Sequence, residues 1–214
     1  MFLRNDYMDE YRTLRAFASD EFTEKRSRFI GFAQPVATTE EAGAWIDSIR
    51  AQHRDATHNV FAYLLRSGQL ERYSDDGEPQ GTAGIPVLDV LRKRGVTNCA
   101  VVVTRYFGGV LLGAGGLVRA YSHAASLALD AAGLVTMAHC VILKIACDYS
   151  FYGKLAACIP EWGGIVEDTQ FGADVTVRVR IRAEREAFFC ETLFDASNGR
   201  FHAEHTGDCF AAAD

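Results

Sequence analysis

Five glycines crowd into the nine residues from Gly108 to Gly116, between the β-branched run Ala100–Thr104 and a stretch of helical spacing that stops at Gly133. A strand with no polar alternation is buried on both faces, so the sheet that holds it must be covered on both sides. The bend that follows lacks side chains, and backbone there can be approached closely by a neighbouring element or by a ligand. A strand of this kind followed by a helix is the pattern of an α+β unit.

Upstream lies an acidic turn, Ser74–Gly84, reading SDDGEPQGTAG, and the whole segment from Ser74 to Tyr121 holds nine glycines together with Asp75, Asp76, Glu78, Arg105 and Arg119. Around it the pattern reads as a strand from Arg28 to Val36, a helix after Thr39, two strands at Thr57–Arg66 and Gln69–Ser74, and a helix from Ala83 to Arg94. That helix carries Pro86 in its first turn and Arg92, Lys93 and Arg94 before Gly95, all suited to their ends.

A second pattern starts near Val135. It reads strand 140–147, helix 149–159, strands 164–170 and 173–182, helix 184–196 and strand 200–205, with turns at Phe171–Ala173 and Asn198–Gly199. The order β-α-β-β-α-β is that of a ferredoxin-like unit. The sequence therefore predicts two α+β domains, 1–135 and 136–214.

Hydrophobic residues make up 49% of the 214 and charged residues 23%, the balance of a folded chain. No apolar run reaches the roughly 20 residues that span a bilayer, so no membrane is expected and the cytoplasm is the expected compartment. The six cysteines form no C-x-x-C pair and read as reduced, packed thiols. Residues 1–135 carry 15 basic and 16 acidic side chains, the remainder 7 and 12, so any attraction to nucleic acid has to be local.

The glycine bend offers such a locality. Amides at the start of the helix near Gly115 and Gly116 carry partial positive charge, and Arg105 before the bend and Arg119 after it add guanidinium groups, which suits a phosphate. Gly108 and Gly109 complete the bend. It is not a P-loop, for no Gly-Lys-Ser/Thr follows, and Val118 stands where a dinucleotide loop has its third glycine. Read without a ligand, the same glycines make a tight turn with close helix-strand packing.

Asp75, Asp76 and Glu78 have the oxygen chemistry of a magnesium site beside a phosphate, and equally the composition of a solvated turn. His58, at a strand start, suits either a phosphate or a strand-end carbonyl. Arg178, Arg180 and Arg182 alternate with Val175, Val177, Val179 and Ile181, placing three cations on one sheet face; such a face follows a nucleic-acid backbone or simply keeps a sheet soluble. His202, His205 and Cys209 lack a fourth zinc ligand, and no nucleophile elbow is present.

The two long segments SDDGEPQGTAGIPVLDVL and VVVTRYFGGVLLGAGGLVRAY, with YRTL at Tyr11–Leu14, EKRSRFIG at Glu24–Gly31 and ATHNVFAYLL at Ala56–Leu65, resemble the IMPACT/YigZ family, also called an uncharacterised protein family. The resemblance runs from about Tyr11 to Glu204, with Met8 as a second candidate start. It implies a first domain like the second domain of ribosomal protein S-five and a second like the last domain of elongation factor G. It also implies a role in translation, since eukaryotic relatives regulate translation by competing for an activator of an initiation-factor kinase. No catalytic residues accompany the family.

The leading expectation is thus a binding module for RNA or the ribosome, without catalysis and without an established cofactor. A magnesium-assisted phosphotransferase or phosphohydrolase and a protein-interaction adaptor are the competing readings.

Overall fold

The computed structural model describes residues 10–213, which leaves Met8 outside the described residues. The chain divides into two compact units, Tyr11–Thr136 and one that takes in Met137 onward. Both are mixed α+β.

The described chain opens with β1 (Glu10–Leu14), whose Glu10 is grouped with the second unit; the first unit holds a five-stranded antiparallel sheet in the order β2 (Ala18–Glu24), β3 (Ser27–Pro35), β6 (Cys99–Tyr106), β4 (His58–Leu65), β5 (Leu70–Ser74). Central β6 is buried along nearly its whole length. Cys99, Val101 and Val103 face a cluster with α2 (Gly84–Arg94) and α3 (Ala114–Ala132), while Ala100 and Val102 face α1 (Thr39–Gln52). Period-two geometry makes the unbroken apolar run do this, because consecutive side chains enter opposite cores.

Local signals place the helices. The cap of α1 is Thr38, one residue before the expected Thr39: its hydroxyl accepts from the Glu41 amide at 3.1 Å, and Glu41 accepts from the Ala37 amide at 2.7 Å. Helix α2 stops at Gly95 with φ 63°, where the left-handed residue's amide donates to the Leu91 and Arg92 carbonyls. Helix α3 lies so close to β3 that a Cβ on Gly31 would sit 2.4 Å from the Ala124 carbonyl oxygen.

Strand β2 was not expected, since only Phe22 marks an apolar face in a segment otherwise charged. It pairs with β3 from Ala18↔Ala33 to Glu24↔Ser27, and the hairpin closes through Lys25 (φ 46°) and Arg26 (φ 67°). Both central residues are left-handed, the conformation that matches strand twist in a two-residue loop.

The second unit has the elements β7 (Leu134–Cys147), α4 (Tyr149–Glu161), β8 (Ile165–Phe171), β9 (Val175–Arg182), α5 (Glu186–Ala196) and β10 (Ala203–Ala212), with strands in the order β10-β7-β9-β8. This is the expected β-α-β-β-α-β succession. Two strands are longer than expected: β7 begins at Leu134 and β10 runs to Ala212, because each gives the other a pairing partner from Met137↔Ala212 to Ile145↔Ala203. Leu143, Ile145, Val177 and Val179 pack with Leu155, Ile159, Phe189 and Leu193 in one core. All six cysteines are free thiols, and no helix among the described residues is long and apolar enough to cross a membrane.

Candidate functional site

The acidic turn is structural in a specific way. Asp75 reaches six to nine residues forward: its Oδ2 accepts from the Gly81 amide at 2.8 Å, and its Oδ1 accepts from Ala83 at 3.1 Å and Gly84 at 2.8 Å. It thereby satisfies the donors at the start of α2, where Ala83 has no side chain to do so. Asp76 (φ 47°) accepts from the Asn59 amide at 2.6 Å and pairs with Arg50 at 3.2 Å. Glu78 turns inward, with only 8% of its surface exposed.

Inside, one oxygen of Glu78 gathers three partners. Arg105 Nη1 donates at 2.6 Å, Tyr121 Oη donates at 2.7 Å, and His58 Nε2 lies at 3.7 Å. His58 Nδ1 donates to the Asp76 carbonyl at 2.8 Å, which turns the Nε2 edge of the ring toward the carboxylate. Burial, with the bond to Glu78 adding to it, pushes the Tyr121 phenol far above its usual range. Arg105 lies over the rings of Phe29 (5.5 Å) and Phe107 (5.3 Å). Its Nε has no hydrogen-bond partner among the described residues, and cation–π contact with these ring faces works against that loss.

Three expectations are corrected by this geometry. Arg105, 5% exposed and ion-paired, cannot reach a phosphate in solvent. His58 is likewise held by the turn beneath it. Asp75, Asp76 and Glu78 point to separate partners instead of converging, and among the described residues no group of three His, Cys, Asp or Glu side chains is placed to hold a metal ion, so the triplet does not fit magnesium.

The glycine bend divides its labour. Gly108 permits contact: a Cβ there would fall 2.0 Å from the Arg26 carbonyl oxygen, so the β2–β3 turn is seated directly against the bend, and the Gly108 amide donates to Ser27 Oγ at 3.2 Å. Gly109 (φ 80°) and Gly113 (φ 74°) supply left-handed backbone. Helix α3 then begins with no side-chain cap; its first internal bond is Leu117 N–H to the Gly113 carbonyl at 2.9 Å. The amides of Ala114, Gly115 and Gly116 come before that bond, and the Arg119 guanidinium is 3.7 Å from where a Gly115 Cβ would be.

Beside this helix start is a pocket of about 220 Å³ lined by Phe22, Glu24, Gly116, Arg119, Ala120 and His123. Lys25, Arg26 and Arg119 are exposed, and none has a carboxylate within ion-pairing distance among the described residues. Lys25, Arg26, Phe22 and His123 escaped the sequence reading; the alternation of Phe22 with Phe29 across a two-residue basic turn was the signal for them.

The arginine stripe on β9 behaves differently. The alternation is as expected, with the valines and Ile181 buried, but Arg178 and Arg180 both pair with Glu167 (3.5 and 3.1 Å), and Arg182 pairs with Glu10 at 2.8 Å and Glu184 at 3.4 Å. A larger hollow of about 580 Å³ on this sheet face sets Lys144 and Arg178 against Glu167 and Asp168. Each β9 arginine thus has a carboxylate partner, whereas Lys25, Arg26 and Arg119 at the glycine bend have none within ion-pairing distance among the described residues.

Similarities to known proteins follow the same division. Residues 25–129 match the Impact N-terminal domain, and residues 145–200 match a domain of unknown function, DUF1949. The chain is 35% identical to the IMPACT family member YvyE of Bacillus subtilis over 90% of its length and 89% of that protein's, and 36% identical to the IMPACT family member YigZ of Escherichia coli over 82% and 87%. Protein IMPACT of Oryctolagus cuniculus is 32% identical over 42% of this chain and 30% of its own. A solved structure described as that of a hypothetical protein covers 94% of the chain and 98% of itself, with a TM-score of 0.61 and 32% identity.

Proposed function

The chain belongs to the IMPACT family, and from that membership we propose that it is a translation-associated binding protein of the cytoplasm that grips phosphates of RNA, free or in the ribosome. The grip is the start of α3 with the adjoining β2–β3 turn. One observation carries this reading: an uncapped helix start flanked by bare glycine backbone lies beside Lys25, Arg26 and Arg119, three exposed cations with no carboxylate in ion-pairing distance among the described residues. Amide donors, the helix dipole and free guanidinium groups then act on the same anion.

The inward cluster of Glu78, Arg105 and Tyr121 supports the site from beneath. It fixes β6, from which the bend leaves, and α3, at which the bend arrives. Its groups hold one another, which suits a support for the bend, and the reading is a binding module.

A filter-binding or ribosome-cosedimentation series across salt tests the proposal. Phosphate contacts release counterions, so affinity should fall steeply as salt rises. Salt-insensitive binding, or none at low salt, would remove the RNA reading.

A protein partner is the second reading, favoured by Leu111 at the tip of the bend, 82% exposed beside Val110. Capture that survives nuclease and high salt would favour it.

A further inference from the structure

We infer that the RNA taken by this surface is single-stranded, with an unpaired base stacked on Phe107 and the neighbouring phosphates on the basic turn and the start of α3. This rests on the phosphate-binding reading above and adds the class of nucleic acid.

Phe107 is the last residue before the glycines, and 45% of it is exposed. Both ends of the residue are held. Its amide donates to Thr57 Oγ1 at 3.0 Å, and the Arg105 guanidinium lies 5.3 Å from the ring centre. Arg105 is fixed in turn by Glu78 and, through Nη2 at 3.4 Å, by Ser27 Oγ. An aromatic ring supported from within by a buried cation and open on its outer side is a rigid platform, which keeps the entropic cost of stacking low.

The charges around it fit a strand whose bases are free. The Lys25–Arg26 turn is seated against Gly108, the residue following the ring, so the backbone that carries these two exposed cations adjoins the platform. A duplex presents phosphates but conceals base faces, leaving Phe107 with nothing to stack on. A single strand presents both, and sequence-tolerant binders of single strands combine a cationic track with such rings.

The test uses the full chain with an oligoribonucleotide carrying 2-aminopurine, alone and annealed to its complement, at several salt concentrations. The single strand should bind more tightly than the duplex at matched salt, with 2-aminopurine fluorescence changing on binding. Phe107→Ala and Phe107→Leu should each weaken single-strand binding about 5- to 100-fold, leave the salt slope unchanged, and abolish the fluorescence change. Phe107→Trp should restore it.

Phe107→Leu keeps apolar cover over Arg105, so loss in that variant, with a wild-type melting curve, assigns the effect to the ring face. Wild-type affinity in Phe107→Leu, or equal affinity for duplex and single strand, overturns the stacking inference while salt-dependent binding leaves the phosphate reading intact. Absence of salt-dependent binding to either form overturns both.

Discussion

Glu78 and Arg105 are 27 positions apart, and each shows less than a tenth of its surface to solvent, yet the carboxylate and guanidinium meet at 2.6 Å with Tyr121 donating to the same oxygen. Removing one member of such a pair strands the other charge in the interior. Glu78→Gln should therefore destabilise the first unit by about 3–5 kcal/mol, read from urea denaturation. Replacing both at once, as Glu78→Leu with Arg105→Met, should recover most of that loss. A cost below about 1 kcal/mol for the single change, the level of an exposed ion pair, would contradict the arrangement.

Asp75 caps α2 from outside the helix. Asp75→Ala should cost about 1–2 kcal/mol, and hydrogen exchange should quicken first at the Gly81, Ala83 and Gly84 amides. Asp75→Asn, which keeps one acceptor, should lose less. Uniform exchange in the Ala variant would mean that the cap is not held by this carboxylate.

Two glycines should respond with opposite signs. At Gly108 a methyl group would overlap the Arg26 carbonyl, so Gly108→Ala should lower the melting temperature and separate the turn from the bend. At Gly43, inside α1, a Cβ meets nothing within 4 Å, and Gly43→Ala should stabilise by about 0.5–1 kcal/mol. Thermal melts of the two variants side by side decide the matter.

In the second unit, the hydrogen bond to Glu186, and then that to Asp208, hold the His205 imidazole above its ordinary value of 6.5. The hydrogen bond from His139 holds Asp208 below its ordinary 3.8. A raised histidine contributes stability fully below 6.5 and loses it as pH rises through the higher folded value; a lowered carboxylate contributes above 3.8 and loses it as pH falls through the lower one. The cluster thus stabilises most in mildly acidic solution, and modestly, since His205 and Asp208 are both well exposed. NMR titration should find the His205 midpoint lower in Glu186→Gln and Asp208→Asn than in the parent. An unmoved midpoint would dissolve the cluster.

Much of the architecture was legible because it depends on periodicity. The unbroken run of β6 announced a strand between two layers, and the alternation of Val175 to Ile181 announced the half-buried β9. The site was less legible, because facing and pairing are set by distant residues. Arg105 shares parity with Val101 and Val103, which did signal an inward direction, but its partner Glu78 belongs to a turn that composition alone reads as solvated. Asp75 caps at a distance that no local capping pattern covers. The β9 arginines kept their expected face, and their carboxylate partners Glu167, Glu10 and Glu184, which periodicity does not announce, favour the second of the two roles open to them, that of a solvated face.

The salt dependence of RNA binding in two sets of variants measures directly which cations meet the phosphates. With Lys25, Arg26 and Arg119 all changed to alanine, the slope of log affinity against log salt should shrink by about 2, at roughly 0.7 per lost contact on a single strand, and affinity at low salt should fall with it. With Arg178, Arg180 and Arg182 changed instead, slope and affinity should stay at the parent values. The reverse pattern, with the β9 set carrying the slope and the glycine-bend set silent, would contradict the account.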